Sequence, residues 1–133
     1  MSLRKFAPWI QGLIYVVTGA WPIVHLRSFE RMTGPKVDKW LVRTVGAVVL
    51  VHGFGLLSAA VQHRADGPVK GMAVGTALAL AAIDVKYAST GRISKVYLLD
   101  AVLESFLAAL WFMPSSDKGD SAPAAGATAL IEA

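Results

Sequence analysis

The ionisable side chains that lie inside apolar stretches, or at their edges, are the first candidates for chemistry in this sequence. Asp84, Asp100 and Glu104 supply three carboxyl groups, and His25 and His52 supply two imidazoles. Because a charged side chain in lipid is costly, an intramembrane Asp, Glu or His usually faces the interior of a helical bundle and marks a functional site. A titratable cluster of this kind suits proton exchange or the binding of a cationic or hydrogen-bonding ligand.

Four apolar segments must position these residues, and each is long enough to cross a bilayer. They cover residues of about 7–26, 40–62, 71–89 and 96–113, and a membrane span needs roughly 20 predominantly apolar residues. The sequence therefore predicts an all-α protein: an integral membrane bundle of four transmembrane helices with both termini on the same side. This domain covers residues 1–113, and the tail 114–133, rich in Ala, Ser, Gly and Pro, is predicted to be disordered.

The composition agrees with a membrane protein and excludes several classes of function. The chain is 55% hydrophobic and only 17% charged, whereas soluble domains carry about a quarter charged residues. It has no cysteine, which excludes disulfides and thiolate chemistry. The net charge of +4 comes from bases at the edges of the spans, so nucleic acid is not an expected partner.

The motifs of the common enzyme classes are missing from the sequence. It contains no phosphate-binding glycine loop, no dinucleotide fingerprint and no paired nucleophile and base. It also lacks a His-x-x-x-His or Glu-x-x-His pair, so no metal site and no cofactor are predicted. An enzyme is not the favoured interpretation, and catalytic residues remain unknown.

Polar residues recur at intervals of three, four or seven along each span, which places them on one helical face. The four stripes consist of Gln11, Tyr15, Thr18, Pro22 and His25; of Thr44, His52, Gly55, Ala59 and Gln62; of Thr76, Asp84 and Tyr87; and of Tyr97, Asp100, Glu104, Ala108 and Trp111. Four such stripes predict a shared polar cavity inside the bundle. The residues expected to bind a ligand or exchange protons there are Tyr15, His25, His52, Asp84, Tyr87, Tyr97, Asp100 and Glu104.

The predicted cavity lies towards one side of the membrane. We call the side that carries the connections 27–39 and 91–95 the loop side, and the other the terminal side. Trp9 and Trp111 are expected at the terminal edge, and Trp21 and Trp40 at the loop edge, as an aromatic belt. The distribution of Lys and Arg favours a cytoplasmic loop side, in a bacterial cytoplasmic membrane.

Two rows of small residues predict close helix packing within the bundle. One consists of Gly46, Gly53 and Ala60 in the second span. The other, which we call the α4 small-residue row, consists of Gly71, Gly75, Ala79 and Ala82 in the third. Small residues let the backbones of neighbouring transmembrane helices approach closely.

The first two spans and the loop between them carry a family resemblance. The stretches WPIVHLRSFE at 21–30, TGPK at 33–36 and WLVRTVG at 40–46 resemble small bacterial four-helix membrane proteins. In architecture alone the chain is similar to DoxX-like and sterol-isomerase-like bundles, in which a small helical bundle encloses a polar pocket. The resemblance implies this fold, and it implies no function and no residue role.

Three functional hypotheses follow from these observations. In the first, the cavity binds or transports a small hydrophobic or cationic ligand or a lipid. In the second, the chain is an accessory or assembly subunit that contacts a membrane-protein partner, or it forms a homo-oligomer. In the third, which is the least favoured, it is a proton- or ion-conducting oligomer. A purely structural role of Asp100 and Glu104, holding the bundle together through Arg43 or Arg92, is the alternative to all three.

Overall fold

A computed structural model describes residues 3–114, and this part of the chain is entirely helical. After a short 3₁₀ turn at Leu3–Phe6, the helices are α1 (Ala7–Val24), α2 (Leu26–Thr33), α3 (Lys39–Val61), α4 (Gly67–Ser89) and α5 (Val96–Leu110). No strand occurs in this range, so the predicted all-α class is confirmed for it. The tail predicted to be disordered lies, from residue 115 onwards, outside the described residues.

Three of the helical segments are long and apolar enough to cross a membrane: Leu3–Val24, Lys39–Val61 and Gly67–Ser89. These three segments agree with the first three predicted spans and with an integral membrane protein. The fourth, α5, has only 15 residues, which gives it a length of about 22 Å. It ends three residues before the predicted boundary because the amides of Trp111, Phe112 and Met113 turn back to carbonyls three residues earlier.

The connection between the first two long helices contains a helix of its own, α2. Its start is capped by His25, whose Nδ1 accepts a hydrogen bond from the backbone N–H of Ser28 at 3.2 Å. Trp21 in α1 donates from Nε1 to the Ser28 hydroxyl at 2.7 Å, which ties α2 to the end of α1. The helix ends at Thr33. Gly34, which follows it as the C-cap, has a φ of 91°, a conformation that glycine adopts readily.

Glycines bring α1 and α3 into direct backbone contact. A Cβ added to Gly19 would lie 2.6 Å from the Gly46 carbonyl oxygen, and one added to Gly53 would lie 2.8 Å from the Gly12 carbonyl oxygen. Gly12 therefore faces Gly53, and Gly19 faces Gly46, in an antiparallel register. The row through Gly46 and Gly53 packs within the chain as the sequence predicts.

Helices α4 and α5 form the second antiparallel pair, and α4 turns an alanine face inwards. Ala73, Ala77, Ala81 and Ala88 are buried on this face together with Asp84. The α4 small-residue row, Gly71, Gly75, Ala79 and Ala82, is exposed instead, and a Cβ at Gly71 or Gly75 would meet nothing within 4 Å. The prediction that this row packs inside the bundle is wrong, because α4 can bury either Asp84 or this row, and it buries Asp84.

The glycine contact yields a prediction with an internal control. Gly53→Ala should destabilise the protein by about 1–3 kcal/mol, because the new methyl group overlaps backbone atoms of α1. Gly55→Ala, two residues away on the same helix, meets nothing within 4 Å. It should leave the stability unchanged or raise it by up to about 1 kcal/mol, since alanine favours helix. Unfolding in detergent micelles measures both, and equal losses would contradict the packing.

Candidate functional site

A buried polar stripe on α1 faces α4 and α5. Gln11 and Tyr15 lie one turn apart on this stripe, and their side chains are 0% and 1% exposed. The glycines that contact α3, Gly12 and Gly19, border this stripe at three and four positions from Tyr15, so this helix joins the α1–α3 pair to the α4–α5 pair. The polar stripe predicted for the first span is therefore a contact surface of the fold at Gln11 and Tyr15, whereas Pro22, which is also buried, lies against Gly46 of α3.

Tyr15 and Glu104 form the central hydrogen bond of the site. The phenol of Tyr15 donates to Oε2 of Glu104 at 2.7 Å, across 89 residues of sequence. Glu104 is only 4% exposed, and it lies on the inward face of α5 between Ala101 and Leu107. At 2.7 Å this is a well-formed O–H···O hydrogen bond, and it joins α1 directly to α5.

Asp84 and Asp100 lie beside each other next to this bond. Asp84 is 6% exposed, and the carboxyl group of Asp100, which is partly buried, is its neighbour. The Oδ2 atom of Asp84 is buried and has no hydrogen-bond partner among the described residues. We call Asp84, Asp100 and Glu104, with Tyr15, the carboxyl cluster.

No basic side chain neutralises the carboxyl cluster within residues 3–114. One ion pair in this part of the chain joins Lys39 to Glu30 at 3.9 Å, at the loop side. The proposed alternative partners of the cluster, Arg43 and Arg92, make no ion pair with it. Nor do three His, Asp or Glu side chains in the described range converge closely enough to hold a metal ion.

A second polar layer closes the site towards the terminal side. The Nε2 amide of Gln11 donates to the Ala73 carbonyl oxygen at 2.9 Å, and Trp111 donates from Nε1 to Oε1 of Gln11 at 2.7 Å. Trp111 is 1% exposed. Its expected place in an aromatic belt is therefore wrong: it is a core residue that satisfies Gln11. The spacing of four between Gln11 and Tyr15, and of seven between Glu104 and Trp111, is the signal that could have indicated this layer.

The other predicted site residues form no hydrogen bond or ion pair with the carboxyl cluster within the described range. His25 is exposed and caps α2, and His52 bonds through Nδ1 to the Val48 carbonyl oxygen of its own helix. Tyr87 is 39% exposed. Tyr97 lies at the loop side beneath Lys36, whose Nζ is 4.8 Å from the centre of the ring. The structure thus brings together four of the eight predicted residues, Tyr15, Asp84, Asp100 and Glu104.

The polar stripe of the second span does not face this interior. Thr44, Gly55 and Gln62 are exposed, and only Ala59 of that stripe is buried. Helix α3 instead turns its glycines towards α1, because direct backbone contact requires them there. The polar interior is consequently shared by α1, α4 and α5 rather than by four helices.

Two open clefts lie at opposite ends of the described chain. One, of about 560 Å³, lies at the loop side between the segment 33–38 and the turn 91–94. The other, of about 540 Å³, lies at the terminal side between Arg4 and Asp66. Neither is lined by a residue of the carboxyl cluster.

The hydrogen bond at the centre of the site can be tested by removing one hydroxyl group. Tyr15→Phe should lower the free energy of unfolding by about 1–3 kcal/mol, because it removes the donor to a buried carboxyl group. Tyr87→Phe is the matched control on an exposed ring and should change it by less than about 0.5 kcal/mol. Denaturant unfolding in micelles measures both. Similar values for the two variants would show that Tyr15 contributes no hydrogen bond of consequence.

Comparison with protein families, with curated proteins and with solved structures finds no match for this chain. The side chains of the site present two buried carboxyl groups and a partly buried third, one phenol that donates to Glu104, and one buried carboxyl oxygen without a partner among the described residues.

Proposed function

We propose that the protein is an integral membrane protein of four spans, with α5 as the fourth and both termini on one side. The position of α5 along α4 supports this. Helix α5 begins next to the turn that follows Ser89, and at its other end Trp111 reaches Gln11, which is bonded to Ala73 near the start of α4. Although short, α5 thus covers most of the length of a long apolar helix. A short span is accommodated by local thinning of the bilayer.

The topology can be tested with single cysteines, because the natural chain contains none. Ser94→Cys in the α4–α5 turn and Met113→Cys after α5 should react with a membrane-impermeant maleimide from opposite sides of the membrane. The measurement uses intact cells and inverted vesicles. Labelling of both positions from the same side would show that α5 does not cross.

We further propose that the carboxyl cluster binds a small cationic ligand, rather than a coordinated metal ion, inside the membrane, for storage or transport. The observation that carries this proposal is that Oδ2 of Asp84, beside Asp100 and Glu104, has no partner within residues 3–114, and that no basic side chain in this range pairs with any of the three. Burial of uncompensated charge in an apolar medium is very unfavourable. A bound cation, or protons, must therefore offset the charge of this cluster.

The packing of the site favours a small occupant. The cluster lies between α1, α4 and α5, and neither open cleft reaches it. A hydrophobic ligand or a lipid would have to separate α1 from α5 and break the bond between Tyr15 and Glu104. The Gln11 layer carries no charge and separates the cluster from the terminal side, which favours binding and release at the loop side over conduction through the bundle.

Native mass spectrometry of the protein released gently from its own membrane tests this function. The wild-type protein should retain a small ion or molecule. Asp84→Asn should retain it about tenfold less, because a charge-assisted contact is lost. Asp66→Asn is the matched control: Asp66 is exposed, and its side chain makes no capping hydrogen bond. Equal retention by all three proteins would contradict the proposal.

An accessory role in a larger membrane complex is the second candidate, and the exposed faces of α3 and α4 favour it. In each of these helices only 22% of an apolar stretch of 18 residues is buried within the chain. The α4 small-residue row also lies on an exposed face, and rows of this kind are typical of helix interfaces. A stoichiometric protein partner that co-purifies while the carboxyl cluster holds no ligand would favour this role.

A further inference from the structure

The loop-side cleft brings together two cations from separate connections of the chain. Lys36 lies in the segment between α2 and α3, and Arg92 lies in the turn between α4 and α5. The two connections approach closely: a Cβ added to Gly34 would lie 3.8 Å from the Cβ of Ser94. The cleft between them has a volume of about 560 Å³ and is open to solvent. Two positive charges 56 positions apart in the sequence thus line one cavity.

The wall that carries Lys36 is held in place by neighbouring groups. The backbone N–H of Lys36 donates to Oε1 of Glu30 at 3.0 Å, and Glu30 also pairs with Lys39. Nζ of Lys36 donates to the Thr33 carbonyl oxygen at 3.0 Å and lies over the ring of Tyr97. The charge of Lys36 is therefore positioned before any ligand arrives, which lowers the entropic cost of binding.

Arg92 is available to a ligand. Its side chain makes no hydrogen bond or ion pair with the described residues, and it is exposed. A guanidinium group offers several N–H donors in a planar fork that matches the oxygens of a phosphate group.

The chemistry of the remaining wall indicates where such a phosphate group would come from. Leu41, Val42 and Ile93 also line the cleft, so apolar surface adjoins the two cations. Trp40, at the start of α3, is 67% exposed at the same end of the molecule, and exposed Trp residues concentrate at the membrane–water interface. A cleft that is cationic at one end and apolar at the other, at that level, suits the headgroup of an anionic lipid. One acidic group, Asp38, lines the cleft as well and opposes the binding of an anion.

We propose that this cleft binds an anionic phosphate group, carried by a membrane lipid or free in the surrounding water, through Lys36 and Arg92. The site is separate from the carboxyl cluster and does not depend on the function proposed for it. Asp38 limits the affinity, because its carboxylate lines the cleft and repels an anion. Removal of the Asp38 carboxylate should therefore strengthen the binding of the phosphate group. A loss of structure at the cleft would weaken binding instead.

The test uses the full chain in detergent, with phosphatidylglycerol as the probe, phosphatidylcholine as the zwitterionic comparison and native mass spectrometry as the readout. Arg92→Gln and Lys36→Gln should each weaken phosphatidylglycerol binding about tenfold. Asp38→Asn should tighten it about threefold. Arg31→Gln is the matched control, because Arg31 is exposed in α2 and does not line the cleft. It should change binding by less than about twofold.

Inorganic phosphate distinguishes the two sources of the ligand. If phosphate displaces phosphatidylglycerol and binds alone at similar concentration, the site serves free phosphate; if it does not, the site serves the lipid. Equal binding of phosphatidylglycerol by the wild type, Arg92→Gln and Lys36→Gln would overturn the proposal. The proposal would also be overturned if Arg31→Gln weakened phosphatidylglycerol binding as much as Arg92→Gln does. The lipid would then be attracted by the positive charge of this end of the protein in general rather than by the cleft. Circular dichroism of each variant checks that the helices are intact.

Discussion

Polar groups buried in an apolar medium must find their partners within the chain, and this constraint determines how the two helix pairs of the protein fit together. Glycine contacts hold α1 to α3, and alanine contacts hold α4 to α5. Between the pairs, Tyr15 donates to Glu104, and Gln11 connects the Ala73 carbonyl to Trp111. These bonds are directional, so they fix both the rotation of α1 and the height at which it meets α5.

The carboxyl cluster does not meet this requirement for partners within the described residues, because it has more hydrogen-bond acceptors than donors. Asp84, Asp100 and Glu104 offer six carboxyl oxygens, and within the described residues Tyr15 is the side chain that donates to one of them. Such an excess of acceptors is unusual in a buried site, because each unsatisfied atom costs free energy. A proton shared between two carboxyl groups, or a bound cation, restores the balance. The neighbouring Gln11 layer, in contrast, is satisfied by uncharged groups, so the imbalance is confined to one level of the protein.

The polar stripes on α1 and α5 can be predicted from the sequence, because there the helical spacing of polar residues and the close packing of the helix favour burial of the same face. On these helices the polar residues recur at helical spacing, and the same face is buried. On α3 and α4 these two requirements conflict. The glycines of α3 and the polar stripe that contains His52 cannot both face inwards, and close backbone contact decides in favour of the glycines. On α4 the outcome is the opposite: the buried Asp84 excludes the α4 small-residue row from the interior.

The contacts between site residues on different helices cannot be predicted from the spacing of polar residues along the sequence. Periodicity assigns a residue to a face, but it does not say which helix that face meets. His25 and Tyr97 share faces with Tyr15 and Glu104, yet they lie at helix ends, where the chain leaves the interior. Residue pairs such as Gln11 and Trp111, 100 positions apart, emerge only when the register of three helices is known.

Infrared spectroscopy of the protein reconstituted in lipid would show directly whether a proton or a cation offsets the charge of the carboxyl cluster. Without added cation, at least one protonated carboxyl group should give a band that Asp84→Asn or Asp100→Asn removes. When a cation that binds to the cluster is added, carboxylate bands should replace this band. Three ionised carboxyl groups in the absence of any cation would show that neither a proton nor a cation is needed, because the site would then hold a charge that nothing compensates.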